Sequence, residues 1–426
     1  MKVFLDMVGC RLNQSEIEAY ARQFRLAGHS LTSNASSADL VVINTCSVTA
    51  AAAADSRQKI RQAARSGARH IIATGCYATL DPLAVSQLSA VEQVISNIDK
   101  DNLVSMVLNI PPATFEHTTI HREPIPGSRL RTRAFIKVQD GCDNHCTYCI
   151  TRLARGAGRS RTIEAILKDI DSALQGGSQE IVLTGVHLGS WGYDFSPPSR
   201  LHNLVKVILD STHTPRLHLS SIEPWDIAPD FFELWQNPRL VRHLHLPLQS
   251  GCAATLHRMG RKITPEVYAN LINQARTAIP AVSITTDIIT GFPGETEEEF
   301  SESAAFVTDM KFSSGHVFTF SPRPGTAAFS LPDQINPLIS KHRNAIMHQI
   351  LEESSESYRH QYLNQQLSVL WEKASPTDDH LWELSGLSDN YLRVRAPFPS
   401  PCRNQIMNVR VTAVESNGLL GIIPPP

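Results

Sequence analysis

The stretch Ala134–Ile150, AFIKVQDGCDNHCTYCI, decides how the chain is read. Its opening, Ala134–Val138, is apolar and β-prone and predicts a strand. The loop that follows carries Cys142, Cys146 and Cys149 at C-x3-C-x2-C spacing. Thiolates are the usual ligands of a [4Fe–4S] cluster, which normally takes four. Three on one short loop can hold three irons and leave the fourth open to another ligand. A structural zinc site prefers a closed set of four ligands. No fourth cysteine sits nearby, and His145, wedged between two of the thiols, is poorly placed to serve.

Downstream of this loop the pattern alternates. Thr162–Leu174 has helical periodicity, and Glu180–Leu183, Arg216–Ser220, His243–Leu246, Ser283–Ile289 and Gly315–Phe320 read as strands. Helical stretches such as Pro265–Ala275 and Glu297–Asp309 separate several of them. Repeated β/α units of this length predict an open or closed β/α barrel. Asn336–Gln365 reads as a return helix. After about Leu367 the segments SVLWEK, YLRVRA, NVRVTAVES and LLGII are short strands between turns, which predicts a small antiparallel β-barrel.

Upstream, Ile110–Arg133 is proline-rich and without period, and reads as a linker. The first segment runs strand (Lys2–Val8), helix (Gln14–Leu26), strand (Asp39–Asn44), helix (Ala50–Ala64), strand (His70–Thr74). This order predicts a parallel sheet with helices on its faces. Cys10, Cys46 and Cys76 each follow one of these strands. Ligands of open α/β sheets bind beyond the carboxyl ends of the strands, so three thiols so placed can converge on one point. One such cysteine would be an ordinary buried thiol; three at equivalent positions suggest a second cluster, again with one open iron. Cys252 and Cys402 have no comparable partners and read as a packing residue and a loop thiol.

The whole chain is consistent with this reading. Its 426 residues allow two to four domains, with 42% hydrophobic and 19% charged residues. The net charge of −2 gives no overall basic signal, so any RNA contact must come from a local patch. Eight cysteines in a large chain without a signal-peptide pattern favour metal or redox chemistry over disulfides. No apolar run approaches the ~20 residues of a membrane span, and a cytoplasmic location is expected.

With these motifs in view the sequence resembles the methylthiotransferase family of radical S-adenosylmethionine (SAM) enzymes over essentially its full length. Beyond the cysteines the resemblance rests on RLARGAGRSR (152–161), SSIEP (220–224), HLPLQSG (245–251), RMGRKIT (258–264) and TDIITGFPGET (286–296). It implies a flavodoxin-like N-terminal domain over 1–115, a radical SAM partial barrel over 128–362 and a TRAM-like RNA-binding β-barrel over 366–426. It also implies two [4Fe–4S] clusters, held by Cys142, Cys146 and Cys149 and by Cys10, Cys46 and Cys76. SAM would bind the open iron of the first, with Tyr148 beside its adenine. One SAM would methylate sulfur held near the second cluster, and another would yield the 5′-deoxyadenosyl radical that drives C–S bond formation. GCRLNQSEIEA (9–19), TCSVTAAAAADSRQKIR (45–61) and TGVHLGSWGYD (184–194) resemble the branch acting on N6-threonylcarbamoyladenosine 37 of tRNA. The runner-up readings are the same chemistry on isopentenyladenosine tRNA, a ribosomal-protein methylthiotransferase, and a non-enzymatic iron–sulfur RNA-binding or sensor protein. A flavodoxin or ferredoxin is the implied electron donor.

Other polar residues end strands at the expected mouth of the barrel. Glu223, Gln249 and Asp287 are candidates for SAM contacts, through its ribose or methionine carboxylate, with Ser250, Thr286 and the Gly291–Glu295 turn as further possibilities. Arg152, Arg155, Arg159 and Arg161 form a basic run suited to phosphate or to the SAM carboxylate. Tyr391 with Arg393, Arg403 and Arg410 suits RNA. Trp191 and Tyr193 are candidates for stacking on the target base or for packing. No residue stands out as an acid–base catalyst.

Overall fold

The computed structural model describes residues 1–115, 122–126 and 132–424, so the expected linker over 110–133 lies partly outside the described residues. In the N-terminal part, β1 (Lys2–Met7) leads into α1 (Arg11–Leu26). Then follow β2 (Ser30–Leu31), β3 (Leu40–Thr45), α2 (Ala50–Arg65), β4 (Ile71–Gly75), the one-turn helix α3 (Cys76–Leu80) and β5 (Val91–Ile95). The strands pair in parallel in the order β2-β1-β3-β4-β5, a flavodoxin-like order. β3 and β4 are buried along their whole length, as their unbroken apolar runs require of central strands. One face packs Val3, Leu5, Val42 and Ile72 against Ile17, Tyr20 and Phe24 of α1; the other packs Val41, Ile43 and Ile71 against Ile60 and Ala63 of α2.

The chain next forms an arc of six parallel strands. β6 (Arg133–Lys137), Glu180–Thr184 and Arg216–Leu219 make one half, and His243–His245, Ser283–Thr290 and Ser314–Thr319 the other. A bridge between Leu217 and Leu240 joins the halves. The arc does not close. α1 packs along the outer strand β6, where the Lys137 amide donates to Ser15 Oγ at 3.1 Å, while the strand Ser314–Thr319 forms the other margin. Alternate residues point outward into one continuous apolar core with the covering helices, among them Leu183, Leu217, Leu219, Leu244 and Ile288. The intervening residues, His218, His243, His245, Thr285 and Asp287, line the lumen.

A long helix, Pro337–His360, returns the chain to a closed five-stranded barrel at the C-terminus. Trp371 is its fully buried centre, packed by Val369, Leu384, Val394, Val409 and Leu419. The strand Trp382–Ser388 was not anticipated from the sequence; its Gly386 lets Leu370 approach so closely that a Cβ there would lie 2.2 Å from the Leu370 carbonyl oxygen. This barrel docks beneath the arc. Arg216 donates to the carbonyls of Ser368 and Leu387, Arg242 pairs with Asp389 and Arg133 pairs with Glu372, all from the amino-terminal ends of arc strands. No helix of the described residues is long and apolar enough to cross a membrane.

Candidate active site

The loop bearing Cys142, Cys146 and Cys149 leaves the carboxyl end of β6 and is pinned on both sides. The Asn144 amide hydrogen points to Cys142 Sγ at 3.4 Å, and the Thr147 amide donates to the Met259 carbonyl at 2.9 Å. His187 lies 2.6 Å from Asp226 through Nε2 and beside Cys142. Burial opposes its protonation, but Asp226 and the Cys142 sulfur outweigh that and raise the imidazole to about 10. On the far side Arg261, buried, pairs with Glu223 at 2.8 Å, lies 4.4 Å from the Trp225 ring centre and has Cys146 beside it. Tyr148 and Glu223 thus gather beside Cys146 and Arg261. Gln249 takes a left-handed backbone at φ 76° and bridges to Ile288. Asp287 turns into the lumen between His245 at 3.2 Å and His316 at 3.1 Å.

The second trio forms beyond the carboxyl ends of β1, β3 and β4. Gly75 has φ 94°, and a Cβ there would lie 2.3 Å from the Thr45 carbonyl oxygen, so only glycine lets the chain turn from β4 into α3 and present Cys76. The Cys46 amide donates to Ser56 Oγ at 2.9 Å, which fixes the end of β3 against α2. Burial pushes the Cys46 thiol up, with Cys10 and Cys76 near enough to add to the shift. Burial likewise raises Cys146 and Cys149. All eight cysteines are free. Among the described residues no three His, Cys, Asp or Glu side chains converge tightly enough to hold a single metal ion. Ligands of a cubane bind separate irons and stand farther apart than those around one ion, so each open trio suits a cluster better than zinc.

Between the two trios lies a buried ionic knot. Arg155, with only 2% of its side chain exposed, donates to Asp140 at 2.8 Å, to Glu16 at 3.2 Å, to Asn13 Oδ1 at 2.9 Å and to Cys76 Sγ at 3.3 Å. Lys100 pairs with Glu16 and lies 3.7 Å from Asp140; Lys137 reaches Asp101 at 2.5 Å. Burial would raise Glu16, but Lys100, Arg155 and Lys137 hold it at about 2. Residues of the N-terminal sheet and of the arc meet in this knot. The sequence read Arg155 as part of a basic run suited to phosphate or to the SAM carboxylate; the structure breaks that run up. Arg155 is internal and Arg161 pairs with Asp169 at 2.7 Å, while Arg152 is exposed beside His145.

Three further expectations change. Trp191 is fully buried with its Nε1 donating to the Arg161 carbonyl, which leaves packing as its role, while Tyr193 is 52% exposed. Tyr391 is not on an outer RNA-facing surface. It enters the lumen from below, stacks on His243 at 4.3 Å and accepts hydrogen bonds from Arg11 at 2.7 Å and Arg133 at 3.0 Å. Arg393 pairs with Glu372, and Arg403 donates to the Glu372 carbonyl; Arg410 stays exposed. The lumen also holds a polar row that the sequence did not signal. Glu180 lies 3.3 Å from His218, which contacts His243 at 2.8 Å; His243 and His245 both reach Thr285 Oγ1.

The open parallel arc with its cysteine loop defines the architecture of the radical SAM superfamily, and that superfamily's model matches residues 136–307. Residues 2–96 match an uncharacterized protein family, UPF0004. A threonylcarbamoyladenosine tRNA methylthiotransferase of Bacillus subtilis is 35% identical over 96% of this chain and 93% of its own length. That of Thermotoga maritima is 33% identical over 98% and 96%. A tRNA-2-methylthio-N(6)-dimethylallyladenosine synthase of Clostridium tetani is 29% identical over 98% and 95%. Among solved structures, the radical SAM methyltransferase TsrM of Kitasatospora setae aligns with a TM-score of 0.58 at 14% identity over 77% of each chain, a likeness of fold. The chain belongs to the family of the threonylcarbamoyladenosine tRNA methylthiotransferases.

Proposed function

We propose that this chain is a radical SAM enzyme that places a methylthio group on C2 of N6-threonylcarbamoyladenosine 37 in tRNA. The supporting observation is the pairing of two cysteine trios, on two different sheets, across one buried knot of charge that includes Arg155 and Cys76. Two relatives, at 35% and 33% identity, carry this activity in their names. Cys142, Cys146 and Cys149 would hold one [4Fe–4S] cluster and Cys10, Cys46 and Cys76 the other. When bound, the first cluster supplies the electron that cleaves SAM to methionine and a 5′-deoxyadenosyl radical.

The chain's own residues do the rest. Tyr148, Glu223, Gln249 and Asp287 are the candidates for holding SAM, with Tyr148 and Glu223 nearest Cys146. His187, Asn144 and Arg261 fix the loop so that its thiols keep their spacing. Cys46 and Cys76 are buried, which shields that side of the second trio from water, while Cys10 is exposed. A flavodoxin or ferredoxin is the proposed electron donor and the cytoplasm, where tRNA resides, the proposed location. Arg152 and Arg410, both exposed, are candidates for RNA phosphates.

Nucleoside mass spectrometry of tRNA from cells lacking the gene tests the reading. The methylthio mark on threonylcarbamoyladenosine should vanish while that on isopentenyladenosine stays; the reverse pattern would sink it. Anaerobic protein given SAM and dithionite should release 5′-deoxyadenosine, which a non-catalytic sensor would not.

A further inference from the structure

Among the described residues, the lumen of the arc holds a guanidinium with no carboxylate at ion-pair distance, although Glu180 is near enough to feel its charge. Arg11 opens α1, one residue after Cys10, and is half-buried. Its Nη2 donates to the Tyr391 hydroxyl at 2.7 Å, and its guanidinium carbon lies 6.0 Å from the Phe135 ring centre and 5.8 Å from that of Tyr391. Its charge reaches far enough to disfavour protonation of His218, His243 and His316. Among the described residues no Asp or Glu lies within ion-pair distance of it. The other lumen arginine, Arg133, has Glu372 at 2.9 Å, and Arg155 has Glu16 and Asp140. Taking a cation partly out of water without a counter-charge is unfavourable. A guanidinium so placed can take an anion that enters the lumen.

We propose that Arg11 reads the carboxylate of the threonyl group carried by the target adenosine, with Tyr391 as the residue that positions it. The inference rests on the threonylcarbamoyl reading given above. That modification ends in a carboxylate and a hydroxyl, whereas a dimethylallyl group is wholly apolar. A guanidinium takes a carboxylate through two parallel N–H bonds, which a methyl ester cannot match in charge. The lumen carboxylates do not oppose the incoming anion as bare charges. Asp287 sits between His245 and His316, and Glu180, which burial raises, is answered by the charges of Arg133, Arg216 and Arg11. A polar wall of His218, His243, His245 and Thr285 leaves little to reward an apolar substituent. A site built to hydrogen-bond a polar group rejects an analogue lacking it far more strongly than an apolar pocket rejects a shape change.

The test uses the cluster-loaded full chain, handled anaerobically. Its ligands are three anticodon stem-loop RNAs that carry threonylcarbamoyladenosine, its threonyl methyl ester, or dimethylallyladenosine. Dissociation constants and methylthio product are both read. Wild-type protein should favour the acid over the ester by roughly tenfold or more. Arg11→Met should bring that ratio close to one, and Arg11→Lys should restore part of it. If Arg11→Met holds less iron than wild type, the Lys variant and Tyr391→Phe carry the comparison. A uniform loss for all three RNAs would make Arg11 a phosphate contact and overturn the assignment, as would an unchanged acid-to-ester ratio. Equal binding of acid and ester by wild type also overturns it, yet leaves the threonylcarbamoyl reading standing. Preference of wild type for the dimethylallyl RNA would overturn that reading itself.

Discussion

At the scale of single residues, the proposed division of labour between the two cysteine trios gives the sharpest expectations. Replacing Cys46 or Cys76 by alanine should lower iron from about eight to about four per chain and abolish methylthio product while 5′-deoxyadenosine still forms. Replacing Cys142 or Cys149 should remove both products; iron analysis and product chromatography check the pair. Histidines away from the sulfurs set a pH dependence. His218 and His243 are held far below the ordinary imidazole range, first by burial and then by neighbouring cations, Arg11 and Arg133 among them. Their unfolded forms bind protons that the folded forms refuse, so stability falls as pH drops below the unfolded value of about 6.5. Each contributes a slope of at most about 1.4 kcal/mol per pH unit. Thermal midpoints measured from pH 7.5 to 5 should fall, and more shallowly in His243→Asn. That each set of three cysteines gathers was legible because each trio shares a spacing or a strand-end position. Arg11 and Arg155 were not, because sequence shows an arginine's charge but not whether a carboxylate answers it.

At the scale of elements, strand ends and helix starts carry the site. α3 begins at Cys76 only because Gly75 accepts a left-handed backbone against the Thr45 carbonyl. Gly75→Ala should cost well over the ~1 kcal/mol of an ordinary glycine replacement, and should lower iron content as well as the thermal midpoint. A plainer element serves as the control. Thr296 caps the helix Glu297–Met310 in a reciprocal box with Glu299, and Thr296→Ala should cost about 1 kcal/mol without touching iron. Most elements were readable from period. The apolar run at 40–44 marked a buried strand, and the apolar stripe of α1 marked a helix. Exceptions have physical causes. β5 (VEQVI) is mostly unburied and shows no apolar run. The strand Trp382–Ser388 contains a glycine whose purpose, the close approach of Leu370, exists only once the barrel has closed.

At the scale of the whole molecule, the ionic knot of Glu16, Lys100, Lys137, Asp140 and Arg155 fastens the N-terminal sheet to the arc. Removing one member of such a buried set strands the others, at a cost of about 3–5 kcal/mol. Glu16→Gln should lower the calorimetric midpoint accordingly and split one unfolding transition into two. The three-part layout was visible in composition and period, but the way the parts interlock was not. Local patterns specify each sheet's buried face, whereas docking depends on a few long side chains such as Arg133, Arg216 and Arg242 that look like surface charge in sequence. The same interlocking bears on inheritance. Because Tyr391, from the terminal barrel, forms the floor of the lumen, a frameshift or stop codon falling just before it would not merely strip an accessory handle from an otherwise working catalyst. Such alleles should behave genetically as complete losses, however late in the gene they fall.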